Sequence, residues 1–122
     1  MRMDKGMDSG DIVAQAQEPI RPDDTAGTLQ ERLAGLGADL LLRCLPEWAA
    51  GRIVPRPQNQ AEATFAPRLR KEEGLLDWHL PATTLALRVR AFSPWPGCFA
   101  WLTTPRGAQP RHERLKVLAA AA

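Results

Sequence analysis

Three carboxylates and two glycines fall within eight positions, Asp4-Lys5-Gly6-Met7-Asp8-Ser9-Gly10-Asp11, directly after Met1-Arg2-Met3. These types at this spacing describe a strand end running into a tight, acidic turn with a pliant backbone. Such a turn can hold a carboxylate at one point of a cleft. The same residues also fit ordinary turn chemistry, with Asp side chains accepting from nearby backbone N–H groups and Gly taking φ > 0. The other side chains capable of chemistry are scattered. Cys44 and Cys98 lack metal-ligand spacing and sit among apolar residues, which points to reduced packing residues and no disulfide. His79 and His112 stand alone, so no zinc site or other metal site is expected.

Charge divides the chain. Residues 1–51 carry five Lys/Arg against nine Asp/Glu, net −4, and residues 52–122 carry eleven against five, net +6. The basic half is therefore the candidate for contact with a polyanion, with a solvated surface as the alternative. At 122 residues, 44% hydrophobic and 25% charged, the chain can form one small domain with a core of its own. No apolar run approaches the eighteen or so residues of a membrane span and no basic-then-apolar leader opens it, so a soluble protein is expected, without membrane contact.

These residues must be positioned by the elements around them. Residues 11–17 alternate loosely and read as a short strand leaving the turn. Pro19 and Pro22 then bar further ladder pairing. Asp23-Asp24-Thr25 is a helix start, and Leu29, Leu33, Leu36, Leu40, Leu41 and Cys44 recur at three- and four-residue steps, which predicts one buried helical face. Gly35 and Gly37 weaken this helix, Pro46 is expected to kink or restart it near Leu45, and Gly51 is placed to cap it. Residues 52–72, with Val54-Pro55-Arg56-Pro57-Gln58-Asn59-Gln60, read as an extended, exposed connector. Beyond it, 75–78 is a short strand anchored by Trp78. Pro81 opens a helix whose face is Ala82, Leu85, Val89 and Phe92, with Arg88 and Arg90 pointing away. Cys98–Leu102 is a buried strand, 103–110 a loop, and 114–118 a second strand cut short by four alanines.

In this order the motifs resemble the methionyl-tRNA formyltransferase family. The resemblance rests on Met3-Asp4-x-Gly6-Met7-Asp8-Ser9-Gly10-Asp11-Ile12, on Pro22-Asp23-Asp24-Thr25-Ala26-Gly27-Thr28-Leu29, and on Leu33-Ala34-x-Leu36-Gly37-Ala38-x-Leu40-Leu41. It continues through Thr64-Phe65-Ala66-Pro67-x-Leu69, Lys71-Glu72-Glu73-Gly74-x-Leu76-Asp77-Trp78 and Val89-Arg90-Ala91-Phe92-x-Pro94-Trp95-Pro96-Gly97. Each motif is weak, and their collinear succession to about residue 102 is strong. The acidic turn also occurs in other folate-dependent formyltransferases, and the later blocks are partly shared with sugar-nucleotide N-formyltransferases.

The resemblance implies transfer of a formyl group from 10-formyltetrahydrofolate to the amine of methionine on initiator tRNA, in the cytoplasm. It implies an α/β fold: residues 1–51 as the C-terminal part of a doubly wound formyltransferase domain, 52–72 as linker, and 73–122 as the first strands of an open β-barrel that helps bind tRNA. Asp8 falls on the family's catalytic aspartate. Attack of an amine on the formyl carbon builds an oxyanion that a histidine and an asparagine must stabilise, and a fixed carboxylate can orient that histidine or relay protons. Asp4, Gly6 and Met7 would wall the pterin pocket. Arg68, Arg70, Lys71, Arg88 and Arg90 are candidates for RNA phosphate contact.

Departures from the family pattern are as telling. The chain has no counterpart of the family's Asn-x-His pair or of its Ser-Leu-Leu-Pro folate segment, both of which belong to the family's first half. It therefore reads as an incomplete middle piece, expected to be inactive alone, to expose a large apolar helix face, and to act as a monomer when full length. A non-catalytic remnant or RNA-binding module is the alternative reading, and a sugar-nucleotide N-formyltransferase a third.

Overall fold

The computed structural model describes residues 1–104 and 111–121. It resolves into two compact units, the first formed by Met1–Ile20 and Gln30–Ala66, the second by Arg21–Leu29 and Pro67–Ala122. No helix among the described residues is long and apolar enough to cross a membrane.

Helix α1 runs over Ala26–Ala49, and local chemistry sets both ends. Thr25 accepts from the Thr28 N–H through Oγ1 at 3.2 Å, while the Thr25 N–H donates to Thr28 Oγ1 at 3.0 Å. This reciprocal pair is a capping box built from two threonines, and it satisfies donors that the first turn leaves free. Asp24 is buried beneath it, accepting from the Arg21 N–H at 2.7 Å and from the Thr28 hydroxyl at 3.1 Å. At the other end Gly51 takes φ +69°. The Arg52 N–H reaches the Glu47 carbonyl at 2.9 Å and the Gly51 N–H reaches Trp48 at 3.0 Å, the paired bonds of a Schellman stop. Pro46 lies inside the helix and does not restart it. It falls in the last turn, where its missing N–H removes one bond close to the end.

The apolar stripe of α1 keeps its period and loses its expected burial. Leu29, Leu36, Leu40, Cys44 and Trp48 are half-buried, Leu33 and Leu41 are exposed, and no α1 residue is buried. Within the first unit Leu40, Leu41, Cys44, Leu45 and Trp48 instead line an open groove with Met1, Met3 and Val13. Arg32 ties residues 18 and 19 to this helix through Glu18 at 2.7 Å and the Pro19 carbonyl at 3.1 Å. The strand expected over 11–17 is reduced to one antiparallel bridge, Ile12 to Arg56. The connector carries a short 3-10 turn at Gln60–Glu62, capped by Asn59.

The second unit holds the core. A 3-10 turn at Lys71–Gly74 leads to Leu75, which bridges Phe99. The expected strand over 75–78 goes no further, and Trp78 is 63% exposed and anchors nothing. Helix α2 spans Ala82–Ala91. Strands β1, Cys98–Thr104, and β2, Arg111–Val117, pair antiparallel with Cys98 opposite Val117 and Thr104 opposite Arg111. The rest of the expected 103–110 loop, residues 105–110, lies outside the described residues. Leu76, Val89 and Cys98 form the buried cluster, with Leu85, Phe92 and Val117 packed on it. The α2 face is therefore as its spacing predicts, except for the exposed Ala82. Strand β1 is buried only at its start: Cys98, Phe99 and Ala100 are covered, and Trp101 is 55% exposed. Leu76 donates to the Phe99 carbonyl at 2.8 Å, and among the described residues no third strand continues past that point.

Candidate functional site

The acidic turn closes on itself. The Arg2 N–H donates to the Asp11 carbonyl at 2.9 Å, and Arg2 Nη2 pairs with Asp11 Oδ2 at 2.8 Å. Inside this closure Gly10 is buried, and a Cβ built on it would lie 1.7 Å from the Arg2 carbonyl oxygen, a backbone atom that cannot step aside. At the tip Asp8 takes φ +51°, the only non-glycine residue with positive φ among those described. Asp reaches the left-handed region more readily than most residues, yet still at a cost of roughly 1–2 kcal/mol. Something must hold it there.

The holding contact comes from the connector. Gln58 Nε2 donates to the Asp8 carbonyl at 2.8 Å and to the Gly10 carbonyl at 2.6 Å, so both amide protons are spent on the turn. The backbone of Arg56 pairs with Ile12 in both directions, at 2.8 and 2.9 Å, and Arg56 Nη2 reaches Gln15 Oε1 at 3.0 Å. Together these bonds lay residues 56–58 beside 8–15. A cleft of about 610 Å³ results, lined by Met7, Asp8 and Ser9 on one side and by Arg56, Gln58 and Asn59 on the other. Its chemistry is a carboxylate-bearing turn facing amides and a guanidinium, suited to a polar heterocycle that offers both donors and acceptors.

Of the residues expected at a folate pocket, Met7 and Asp8 line this cleft, while Asp4 and Gly6 do not. Asp4 is exposed and accepts the N–H of its neighbour Lys5 at 2.7 Å. Sequence reasoning missed Gln58, Asn59 and Arg56 because a proline-spaced polar run carries no periodicity. A run of amides beside the prolines was the one available signal. The five cationic candidates also separate. Arg68, Arg70 and Lys71 are exposed and form no ion pair with any described residue, and Arg68 and Arg70 share a second cleft with Trp95. Arg88 and Arg90 are half-buried. Arg88 donates to the Glu73 carbonyl and lies 5.1 Å from the Phe92 ring centre, and Arg90 donates to the Pro22 carbonyl. Among the described residues no group of three or more His, Cys, Asp or Glu is placed to hold a metal ion.

The class of protein that carries this turn and this helix-and-hairpin unit is given by comparison with known proteins. The formyl transferase model matches residues 1–45 and the model of the formyl transferase C-terminal domain matches residues 68–122, so the chain belongs to the formyl transferase family. Within that family it is similar to proteins named methionyl-tRNA formyltransferase. It is 48% identical to that of Koribacter versatilis (strain Ellin345) over 99 residues, 81% of this chain and 32% of that protein. It is 47% identical to that of Solibacter usitatus (strain Ellin6076) over 112 residues, 92% of this chain and 35% of that protein. The Chloroflexus aurantiacus (strain ATCC 29366 / DSM 635 / J-10-fl) protein is 46% identical over 101 residues, 83% of this chain and 33% of that protein. The chain spans about a third of the length of these curated relatives.

Proposed function

We propose that this chain supplies the carboxylate of a formyl transfer from 10-formyltetrahydrofolate to the α-amine of methionine on initiator tRNA, in the cytoplasm. The observation that carries the reading is Asp8, held in the left-handed region at the rim of an amide-lined cleft. In the reaction the bond from the methionine nitrogen to the formyl carbon forms and the bond from that carbon to N10 of the donor breaks. One proton passes from the amine to the departing nitrogen, so the exchange balances without a further reactant. Asp8 serves by orienting the histidine that faces the developing oxyanion, or by moving that proton through water. Met7 walls the donor's pterin beside it, with Asp4 and Gly6 shaping the turn behind.

The sequence contains one asparagine, Asn59, and two histidines, His79 and His112, none of them in an Asn-x-His pair. Accordingly the chain by itself is inactive, and its part is that of residues 1–51 of a doubly wound catalytic domain, a linker over 52–72, and the opening of a barrel over 73–122. A monomer is the expected state of the full-length protein. A second reading is favoured by Arg68, Arg70 and Lys71, exposed and unpaired among the described residues: an RNA-binding module without chemistry.

The test is a chimera in which this chain replaces the matching third of the Solibacter usitatus methionyl-tRNA formyltransferase. The chimera is expected to formylate methionyl-tRNA and to lose about 100-fold or more on Asp8→Asn, the scale of a positioned acid–base group. Equal activity of the Asp8→Asn chimera would refute the role of Asp8. Turnover by the isolated chain at the chimera's rate would refute its inactivity.

A further inference from the structure

We infer that Gln58 is a positioning residue for the Asp8 carboxylate, an inference that rests on the formyl-transfer reading for its catalytic meaning. A peptide plane is rigid, so the direction of the Asp8 carbonyl is set by ψ at Asp8, one of the two soft torsions on which that residue pivots. One primary amide holds that carbonyl at 2.8 Å and the Gly10 carbonyl at 2.6 Å. The two bonds bracket Ser9, so the turn cannot relax from either side without giving up a donor. The amide nitrogen has two protons for these two carbonyls, with Met1 Sδ a longer third neighbour at 3.9 Å. The residue under control is the one non-glycine residue with positive φ among those described, where the backbone would otherwise drift to a right-handed or extended state.

Gln58 is itself fixed from the connector. The two Arg56–Ile12 backbone bonds, at 2.8 and 2.9 Å, place the chain two residues upstream of it, and its own side chain is half-buried in the cleft. The connector is therefore part of the site: it supports the catalytic turn from outside the acidic sequence that forms it. Because Gln58 touches backbone and not the Asp8 carboxylate, it acts on chemistry only through the direction it gives that side chain.

The experiment has two arms. In the full chain, labelled for NMR, Gln58→Ala and Gln58→Glu are compared with wild type. Both variants remove the donating amide, and Gln58→Glu keeps the size. Expected is a change in the Asp8 backbone coupling constant and carboxyl resonance out of the left-handed state in both variants, with the resonances of α2 and β1 unmoved. Gly accepts positive φ freely, so in an Asp8→Gly background the loss of stability caused by Gln58→Ala should shrink. Unmoved Asp8 resonances, or an equal loss in both backgrounds, would overturn the inference. In the chimera, Gln58→Ala is expected to lower kcat about 10- to 100-fold, as small misplacements of a reacting group do, with KM for 10-formyltetrahydrofolate within about 3-fold. A rise in KM with unchanged kcat would overturn it. A parent chimera without activity counts against the formyl-transfer reading alone, and the Asp8 resonances then still decide the role of Gln58.

Discussion

Gly10 lies so close to Arg2 that a single added methyl would come within 1.7 Å of the Arg2 carbonyl oxygen. Two backbone segments are in contact there, so the clash cannot be relieved by a rotamer. Gly10→Ala should part Arg2 from Asp11, break their 2.9 Å backbone bond, and cost about 1–3 kcal/mol. Gly6 offers the control. Its added methyl would meet Ser9 Oγ, which can rotate away, and Ser9 Cβ at 3.0 Å, which needs a shift of only a few tenths of an ångström, so Gly6→Ala should cost less, about 0.5–1 kcal/mol. Urea unfolding of the two variants, read by far-UV circular dichroism, gives the comparison. Equal midpoints would show that the Arg2–Gly10 approach is not a constraint.

The threonine capping box at the start of α1 makes a second prediction. Thr25→Ala removes the acceptor of the Thr28 N–H and leaves a first-turn donor to water, at about 1 kcal/mol. Thr25→Ser keeps the oxygen and should be near neutral. Thr28→Val removes both the acceptor of the Thr25 N–H and the hydroxyl that donates to Asp24. Because Asp24 is buried, Thr28→Val should cost more than Thr25→Ala. Thermal unfolding of the three variants settles the order. A Thr25→Ser chain as unstable as Thr25→Ala would remove the cap from the account.

Cys98 gives a dependence on pH. Burial pushes its thiol above the ordinary cysteine value, and the charge of Arg88 offsets part of the effect. A raised pKa means that the fold prefers the neutral thiol. The stabilisation is complete below the pH at which an unfolded cysteine ionises and is lost as pH rises through the raised value. Urea midpoints measured from neutral into the alkaline range should therefore fall for wild type relative to Cys98→Val, which has no proton to lose. Parallel curves would refute the linkage. Cys44, half-buried in the first unit, should meanwhile react with an alkylating reagent well before Cys98.

What the sequence disclosed and withheld follows from range. Asp23-Asp24-Thr25 and Gly51 marked the ends of α1 because caps act within a few residues, though which of the three side chains caps the helix, Thr25, came only with the structure. Leu85, Val89 and Phe92 marked the buried face of α2 because helical period is local. Burial itself is not local: Leu33 and Leu41 have the right period and remain exposed, since nothing described in this chain covers them. Pro46 was expected to kink or restart a helix that runs through it without a restart, because it falls in the final turn. The candidate site divides the same way. The acidic turn was legible as a turn and the collinear motifs made Asp8 the candidate within it, whereas the Gln58 contact spans fifty residues of chain and its neighbours carry no periodicity that announces it. Trp78 erred in the opposite direction, because an aromatic between Asp77 and His79 reads as an anchor and is mostly in solvent.

The five cations should separate in RNA binding as they do in structure. Arg68, Arg70 and Lys71 are exposed and unpaired among the described residues, so replacing all three with Ala should leave the fold intact and weaken tRNA retention. Each phosphate contact contributes roughly 0.7–0.9 to the slope of log affinity against log salt, so the triple variant should flatten that slope by about 2. Arg88 and Arg90 each give one Nη donor to the carbonyls of Glu73 and Pro22, and their Nε groups are buried away from solvent. Removing either frees a carbonyl and strips a stem from the core surface, so Arg88→Ala and Arg90→Ala should lower the melting temperature first and alter the salt slope little. Filter retention of tRNA across a salt series, beside thermal melts of the same preparations, measures both. A slope unchanged in the triple variant, or flattened equally by Arg88→Ala at unchanged stability, would move the polyanion contact away from residues 68–71.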